Sequence, residues 1–160
     1  MSRKKETKTN AMRILDAAGV DHQIHVFEAD GTMTGVEIAQ MLGEEPEHVF
    51  KTLVTIGKSK EHYVFMVPVA EELDLKKAAK AAGEKSIEMV KSRELFDLTG
   101  YVHGGCSPLG MKKFFKTFID ETCILFDTIL FSGVRIGTQI EMSFDDLASV
   151  IDISPVDLVV

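Results

Sequence analysis

The chain has no tryptophan, and only two cysteines and four prolines in 160 residues; each shortage closes off a class of protein. Cys106 and Cys123 are too few for a disulfide framework, and neither sits at a spacing that holds a metal. They read as reduced thiols, which points to the cytoplasm. No apolar run approaches a membrane span, so no membrane partner is expected. The first residues, Met1-Ser2-Arg3-Lys4-Lys5-Glu6, are basic, but no apolar stretch follows, and they do not read as a secretory signal. There is neither a Walker loop nor a dinucleotide fingerprint, so no cofactor is called for. A formal charge of −7 excludes a protein whose main task is to coat DNA or RNA, because phosphate contacts need cations.

What is present is ordinary for one globular domain: 45% hydrophobic and 27% charged residues, enough for a single substantial core. Residues 1–8 read as a flexible basic N-terminus and 9–160 as the domain. Asn10 is positioned to cap a first helix whose Ala11, Ile14, Leu15 and Ala18 share a face, with Gly19 as its stop. His22 to Glu28 read as a strand. Thr34-x-x-Glu37 is a capping box for a second helix, ended by Gly43. The β-branched and aromatic runs 49–56 and 62–69 flank a polar turn and predict a hairpin.

Asp74 caps a third helix, Leu75 to Ala82. A short strand at 87–89 and a helix at 92–98 lead to a glycine-rich loop, and strands are predicted at 113–119, 123–126 and 128–132. Gln139-Ile140-Glu141-Met142 reads as a last strand before a helix capped by Ser143. Helices and strands interleave without a βαβ rhythm, so the fold class is α+β, with a mixed, mainly antiparallel, barrel-like sheet and surrounding helices.

Two features could carry chemistry. Lys51 lies inside the apolar run Val49-Phe50-Lys51-Thr52-Leu53, and a desolvated cation needs a partner or a task; an edge-strand lysine that discourages aggregation is the other reading. Gly104-Gly105-Cys106-Ser107-Pro108-Leu109-Gly110 packs three glycines and a proline into seven residues, and such a loop can turn backbone N–H groups onto an anion. It is not the Gly-x-Ser-x-Gly elbow, and His103 is not obviously placed to activate Cys106 or Ser107. Lys112, Lys113 and Lys116 follow the loop directly. Phe114, Phe115, Phe118, Phe126 and Phe131 could stack bases but at strand spacing read as core. No histidine belongs to a metal-spaced cluster.

Taken together, Thr9-Asn10-Ala11-Met12, Val49-Phe50-Lys51-Thr52-Leu53, Pro68-Val69-Ala70 with Leu73-Asp74-Leu75-Lys76-Lys77, Gly100-Tyr101, the glycine loop and Ser132-Gly133 resemble the YbaK/EbsC family. Its best-known members are trans-acting Cys-tRNA(Pro) deacylases, related to the editing domain inserted in bacterial prolyl-tRNA synthetases. The resemblance covers nearly the whole chain and implies a cytoplasmic enzyme that hydrolyses mischarged Cys-tRNA(Pro), and also Cys-tRNA(Cys) in some members. It implies that Lys51 is the catalytic lysine. It further implies that Phe27, Thr34, Thr52, Gly104, Gly105, Cys106, Ser107, Pro108, Gly110, Ser132, Gly133 and Gln139 surround the aminoacyl ester.

The implied partners are the acceptor end of an aminoacyl-tRNA and a prolyl-tRNA synthetase, with no DNA and no metal. Gln139 stands where those deacylases carry Asp, and Thr34 near a position where some have Phe. Two other readings stay open: a non-catalytic or differently specific relative of the editing domain, and a small-acyl ester hydrolase using Cys106 or Ser107.

Overall fold

The first helix, α1 (Asn10–Ala18), is capped by Thr9, whose side chain accepts from the Met12 N–H. Asn10, the expected cap, is the first helical residue instead. Its amide is spent elsewhere, donating to the Gly110 carbonyl at 2.9 Å. The computed structural model describes residues 8–160, so the expected flexible segment 1–8 lies outside it except for Lys8, which pairs with Asp16.

From α1 the chain runs through β1 (Gln23–Val26), α2 (Gly35–Leu42), a 3-10 turn (Pro46–His48), β2 (Phe50–Gly57) and β3 (His62–Pro68). It continues through α3 (Leu75–Ala82), β4 (Ile87–Met89), α4 (Ser92–Thr99), β5 (Lys116–Asp120), β6 (Ile129–Ser132), β7 (Thr138–Met142), α5 (Phe144–Val150) and β8 (Ile153–Val156). The capping box at Thr34 forms in both directions, with Glu37. Asp74 accepts from the N–H groups of Lys76 and Lys77, and Ser143 from that of Asp146.

The strands form two sheets, β1-β7-β6 and β4-β2-β3-β5-β8. All pairs are antiparallel except β3–β5 and β5–β8. The fold is thus α+β with mainly antiparallel pairing. Among the described strands, however, the sheets do not close into a barrel; a single β-bridge, Val49 to Leu130, links them, and otherwise they meet through core side chains.

Strand alternation sorts the core into two layers. Phe65 and Val67 of β3 face Ala78 and Ala79 of α3, with Phe118 stacked on Phe65 at 5.3 Å. The neighbouring Met66 faces the other way, into a layer with Phe50, Ile119, Phe131, Ile140, and the buried sides of α1 and α5.

Two strand expectations fail, for identifiable reasons. Of the expected strand 123–126, the first three residues lie in a 3-10 turn, Glu121–Leu125, and Phe126 follows it. Buried Asp120 accepts from the Thr122 N–H and hydroxyl and from the Leu158 N–H, and bends the chain out of β5. Ile124 and Leu125 are left exposed. A strand after residue 142, β8, was not expected because Pro155 demotes the run Ile153-Ser154-Pro155-Val156. The proline is tolerated because β8 is the edge of its sheet, where a missing N–H breaks no central ladder.

A candidate active site where the sheets part

On its outer edge β2 pairs with β4 only at Thr55–Gly57, and Val49 bridges to β6. Between those points, residues 50–54 have no neighbouring strand on that edge. The gap is a cavity of about 290 Å³. Its walls come from β2, the N-terminal end of α2, the start of α4, the glycine loop, and the β6–β7 connection. This is the small end of the range for ligand sites, suited to an amino acid and a ribose rather than to a folded nucleic acid.

Lys51 lines the cavity, half-buried, and has no ion pair among the described residues. It is therefore not a structural salt-bridge lysine: it pairs with Val67 of β3 on one side, and on the other lies on the open stretch of β2 that borders the cavity. Two polar oxygens in the same walls are buried without a hydrogen-bond partner, Thr52 Oγ1 and Gln139 Oε1. Leaving such an acceptor unpaired costs about 1–3 kcal/mol. Such an orphan calls for an explanation, and a bound ligand or an ordered water completes the bond. Gln139 is only 7% exposed, and pairs in register with His25 on one side and Ser132 on the other.

The glycine loop divides. Gly104 and Cys106 line the cavity, and no acceptor among the described residues takes their N–H groups. Ser107, Pro108 and Gly110 do not line it, because the second half of the loop is pinned inward. The Tyr101 hydroxyl donates to the Leu109 carbonyl at 2.5 Å, Asn10 holds Gly110, and the Ser107 hydroxyl accepts from the Leu109 N–H. Gly105 does not line the cavity either. It sits against the β6–β7 connection so closely that a Cβ would lie 2.4 Å from the Val134 carbonyl oxygen. Val134 itself has φ +86°, a costly conformation for a β-branched residue, held by the Ser132 hydroxyl accepting from its N–H. Backbone is thus packed directly on backbone, and strain is stored beside the cavity.

The remaining expected residues divide similarly. Phe27, Thr34, Thr52, Ser132 and Gln139 are in the walls. The Thr34 hydroxyl is committed to the α2 cap, so it offers the cavity little chemistry. Gly133 is not in the walls; its N–H bonds the Thr138 carbonyl and closes the turn. Sequence reasoning missed Arg135, Ser92 and Thr138, all in the walls, and gave His103 no place in the site although it is there too. Arg135 had a weak signal, a lone arginine between Gly133 and Gly137. Ser92 had none, because only the packing of α4 brings it to the gap.

Cys106 is 7% exposed, and burial pushes its thiol up to about 12. It is a neutral thiol at physiological pH, poorly suited to nucleophilic attack. Among the described residues no group of three or more His, Cys, Asp or Glu side chains could hold a metal. No helix there is long and apolar enough to cross a membrane.

The α+β domain thus gathers Lys51, which has no ion pair among the described residues, and the backbone N–H groups of Gly104 and Cys106 around one cavity where its sheets part. A family model described as an aminoacyl-tRNA editing domain matches residues 29–150, and the chain belongs to that family. It is 40% identical, over 93% of its length and 92% of the relative's, to an Enterococcus faecalis protein provisionally named Cys-tRNA(Pro)/Cys-tRNA(Cys) deacylase EbsC. A crystal structure provisionally described as a trans-editing enzyme for prolyl-tRNA synthetase superposes with a TM-score of 0.82 at 25% identity, covering 92% of this chain and 93% of that one. The fold is also that of hypothetical protein APE2540, with a TM-score of 0.85 at 20% identity over 95% of this chain and all of the other.

Proposed function

We propose that this aminoacyl-tRNA deacylase removes cysteine from mischarged Cys-tRNA(Pro). The observation that carries the reading is Lys51, a cation with no counter-ion among the described residues, in the wall of a cavity sized for an aminoacyl ester. Hydrolysis of the ester passes through a tetrahedral oxyanion. The open N–H groups of Gly104 and Cys106 and the Lys51 ammonium supply positive potential where that charge develops. The unpartnered oxygens of Thr52 and Gln139 accept hydrogen bonds from the amino acid's ammonium or from a ribose hydroxyl. Gln139 is neutral, so its grip on an ammonium is weaker than a carboxylate's would be.

Neither Cys106 nor Ser107 is well placed as a nucleophile. Cys106 is held as a thiol, and Ser107 faces away, its hydroxyl engaged with the Leu109 N–H. The substrate's own thiol can serve. Its sulfur attacks the ester carbon, the carbon–oxygen bond to the ribose breaks, the ribose oxygen takes up the thiol proton, and water later opens the cyclic thioester. Positioning lowers the barrier of such an intramolecular step, by about 7–11 kcal/mol in the best cases.

A separate hydrolytic sieve makes sense because cysteine and proline are close in size. A synthetase pocket separates such pairs by only about 1–3 kcal/mol. A prolyl-tRNA synthetase bound to the same tRNA is the natural partner. The test is loss of ester from a panel of mischarged tRNAs: Cys-tRNA(Pro) should be cleaved fastest, and an S-methylcysteinyl ester should be largely resistant. Cleavage of the S-methyl ester at the full rate would replace the thiol route with water attack. Inertness towards the whole panel would leave a binding module.

A further inference from the structure

Beside the cavity, α4 presents an aromatic face that the core does not use. Ser92 and Leu95 line the cavity, and Phe96, one turn after Ser92 on the same side of the helix, is 56% exposed. The Lys112 ammonium lies over the Phe96 ring, 6.0 Å from its centroid. The Lys112 N–H donates to the Thr99 carbonyl at 2.9 Å, tying the segment after the glycine loop to the end of α4. Phe114 of that segment, expected in the core, is 75% exposed. Arg93, one turn before Phe96, is exposed on the same side of α4, as is the adjacent Asp97 at its border, and Lys113 next to Lys112 is exposed too; Glu94 projects from the opposite side.

We propose that Phe96, with Lys112 above it, is a stacking platform for an unpaired base of the tRNA acceptor end, next to the nucleotide whose ester enters the cavity. The inference rests on the deacylase reading for what occupies the cavity. An aromatic ring left in water with a lysine over it suits a single nucleic-acid strand: every base has a face to stack, and every linkage carries a phosphate for Lys112 and the exposed Lys113 beside it in the chain. One helical turn separates the cavity wall at Ser92 from Phe96, about the reach of one extended nucleotide. The platform is local, which is how an acidic protein can hold the end of an RNA without gripping the rest. Phe96 and Lys112 are positioning residues; neither lines the cavity where the ester would be cleaved.

The chain has no tryptophan, so Phe96→Trp creates a single fluorescent reporter on the platform. Titration with the trinucleotide CCA should quench it saturably and with a salt-dependent midpoint, whereas adenosine alone should quench far less. In kinetics, Phe96→Ala should raise KM for an aminoacyl-CCA trinucleotide about tenfold or more, leave kcat unchanged, and not alter KM for the aminoacyl ester of adenosine alone. Phe96→Tyr should restore the wild-type KM.

Equal quenching by adenosine and trinucleotide, or equal loss on both esters, overturns the platform. So does a Phe96→Ala defect seen only in a complex with another protein, which would assign the face to a protein partner. If the wild-type protein cleaves neither ester, the deacylase reading fails, and the fluorescence titration still decides the platform independently.

Discussion

At the residue scale, Lys51 and Cys106 sit in the same cavity wall under opposite constraints. Lys51 has no counter-ion among the described residues, so replacing it removes no ion pair seen there. Lys51→Ala is expected to lower kcat/KM for deacylation at least a hundredfold, about 2.7 kcal/mol of barrier, with a melting temperature close to wild type. Near-full activity in that variant would remove Lys51 from the mechanism, and unfolding would make it structural. Cys106 is the reverse case: burial keeps its thiol up at about 12. Cys106→Ala should therefore keep activity within about tenfold, roughly 1.4 kcal/mol. Alkylation of Cys106 at pH 8 should be slow beside that of a free thiol. A loss of several orders of magnitude in a folded Cys106→Ala variant would restore the ester-hydrolase mechanism.

At the element scale, two contacts hold the site's walls in place. Gly105 lets the glycine loop meet the β6–β7 connection backbone to backbone, and a methyl there would lie 2.4 Å from the Val134 carbonyl. Gly105→Ala should cost about 1–3 kcal/mol, as overpacking does, and should lower kcat by moving Gly104 and Cys106. Thermal melts and single-turnover rates check both effects. The second contact ties the three-stranded sheet together. Glu141 of β7 binds His25 of β1 at 2.7 Å and accepts from the hydroxyl of Thr128, just before β6. Burial alone would raise the Glu141 carboxyl, but Thr128 and His25 outweigh it and hold the carboxyl below its ordinary value of 4.5. A depressed folded-state value stabilises the protein above the unfolded carboxylate's titration, and that contribution is lost as pH falls through the folded value. Glu141→Gln should therefore lower stability at neutral pH and flatten its acid decline below about pH 5. Urea midpoints across that range are the measurement, and an unchanged acid slope would count against the contact.

At the scale of the whole molecule, the charge of −7 sets how tRNA is held. Uniform RNA affinity needs many released counterions, and this surface is acidic overall. Lys112 and Lys113 are the exposed cations that directly follow the glycine loop. Replacing both with Glu should raise KM for aminoacyl-tRNA, reduce its salt dependence, and leave the rate at saturating substrate unchanged. Unchanged KM and salt slope would remove these lysines from the interface. Nanomolar binding of uncharged tRNA to the wild-type protein at physiological salt would overturn the local-contact picture altogether.

The local signals were legible in the chain because they depend on neighbours in sequence. The Thr34 capping box, the Asp74 and Ser143 caps, the hairpin of β2 and β3, and Lys51 as a misplaced cation can all be found without knowing any distant contact. Asn10 was misassigned as a cap because its partner, the Gly110 carbonyl, is a hundred residues away. The run 123–126 looked like a strand until buried Asp120 turned the chain aside, and β8 was hidden by a proline that only an edge position allows. The cavity itself is a tertiary product. It exists because β4 and β6 pair with β2 at separate points and leave the stretch between them open, and no spacing in the sequence records where one strand will fail to meet another. The same long-range packing carries Arg135 and Ser92 into its walls, and leaves Phe114 in water where periodicity alone assigns it to the core.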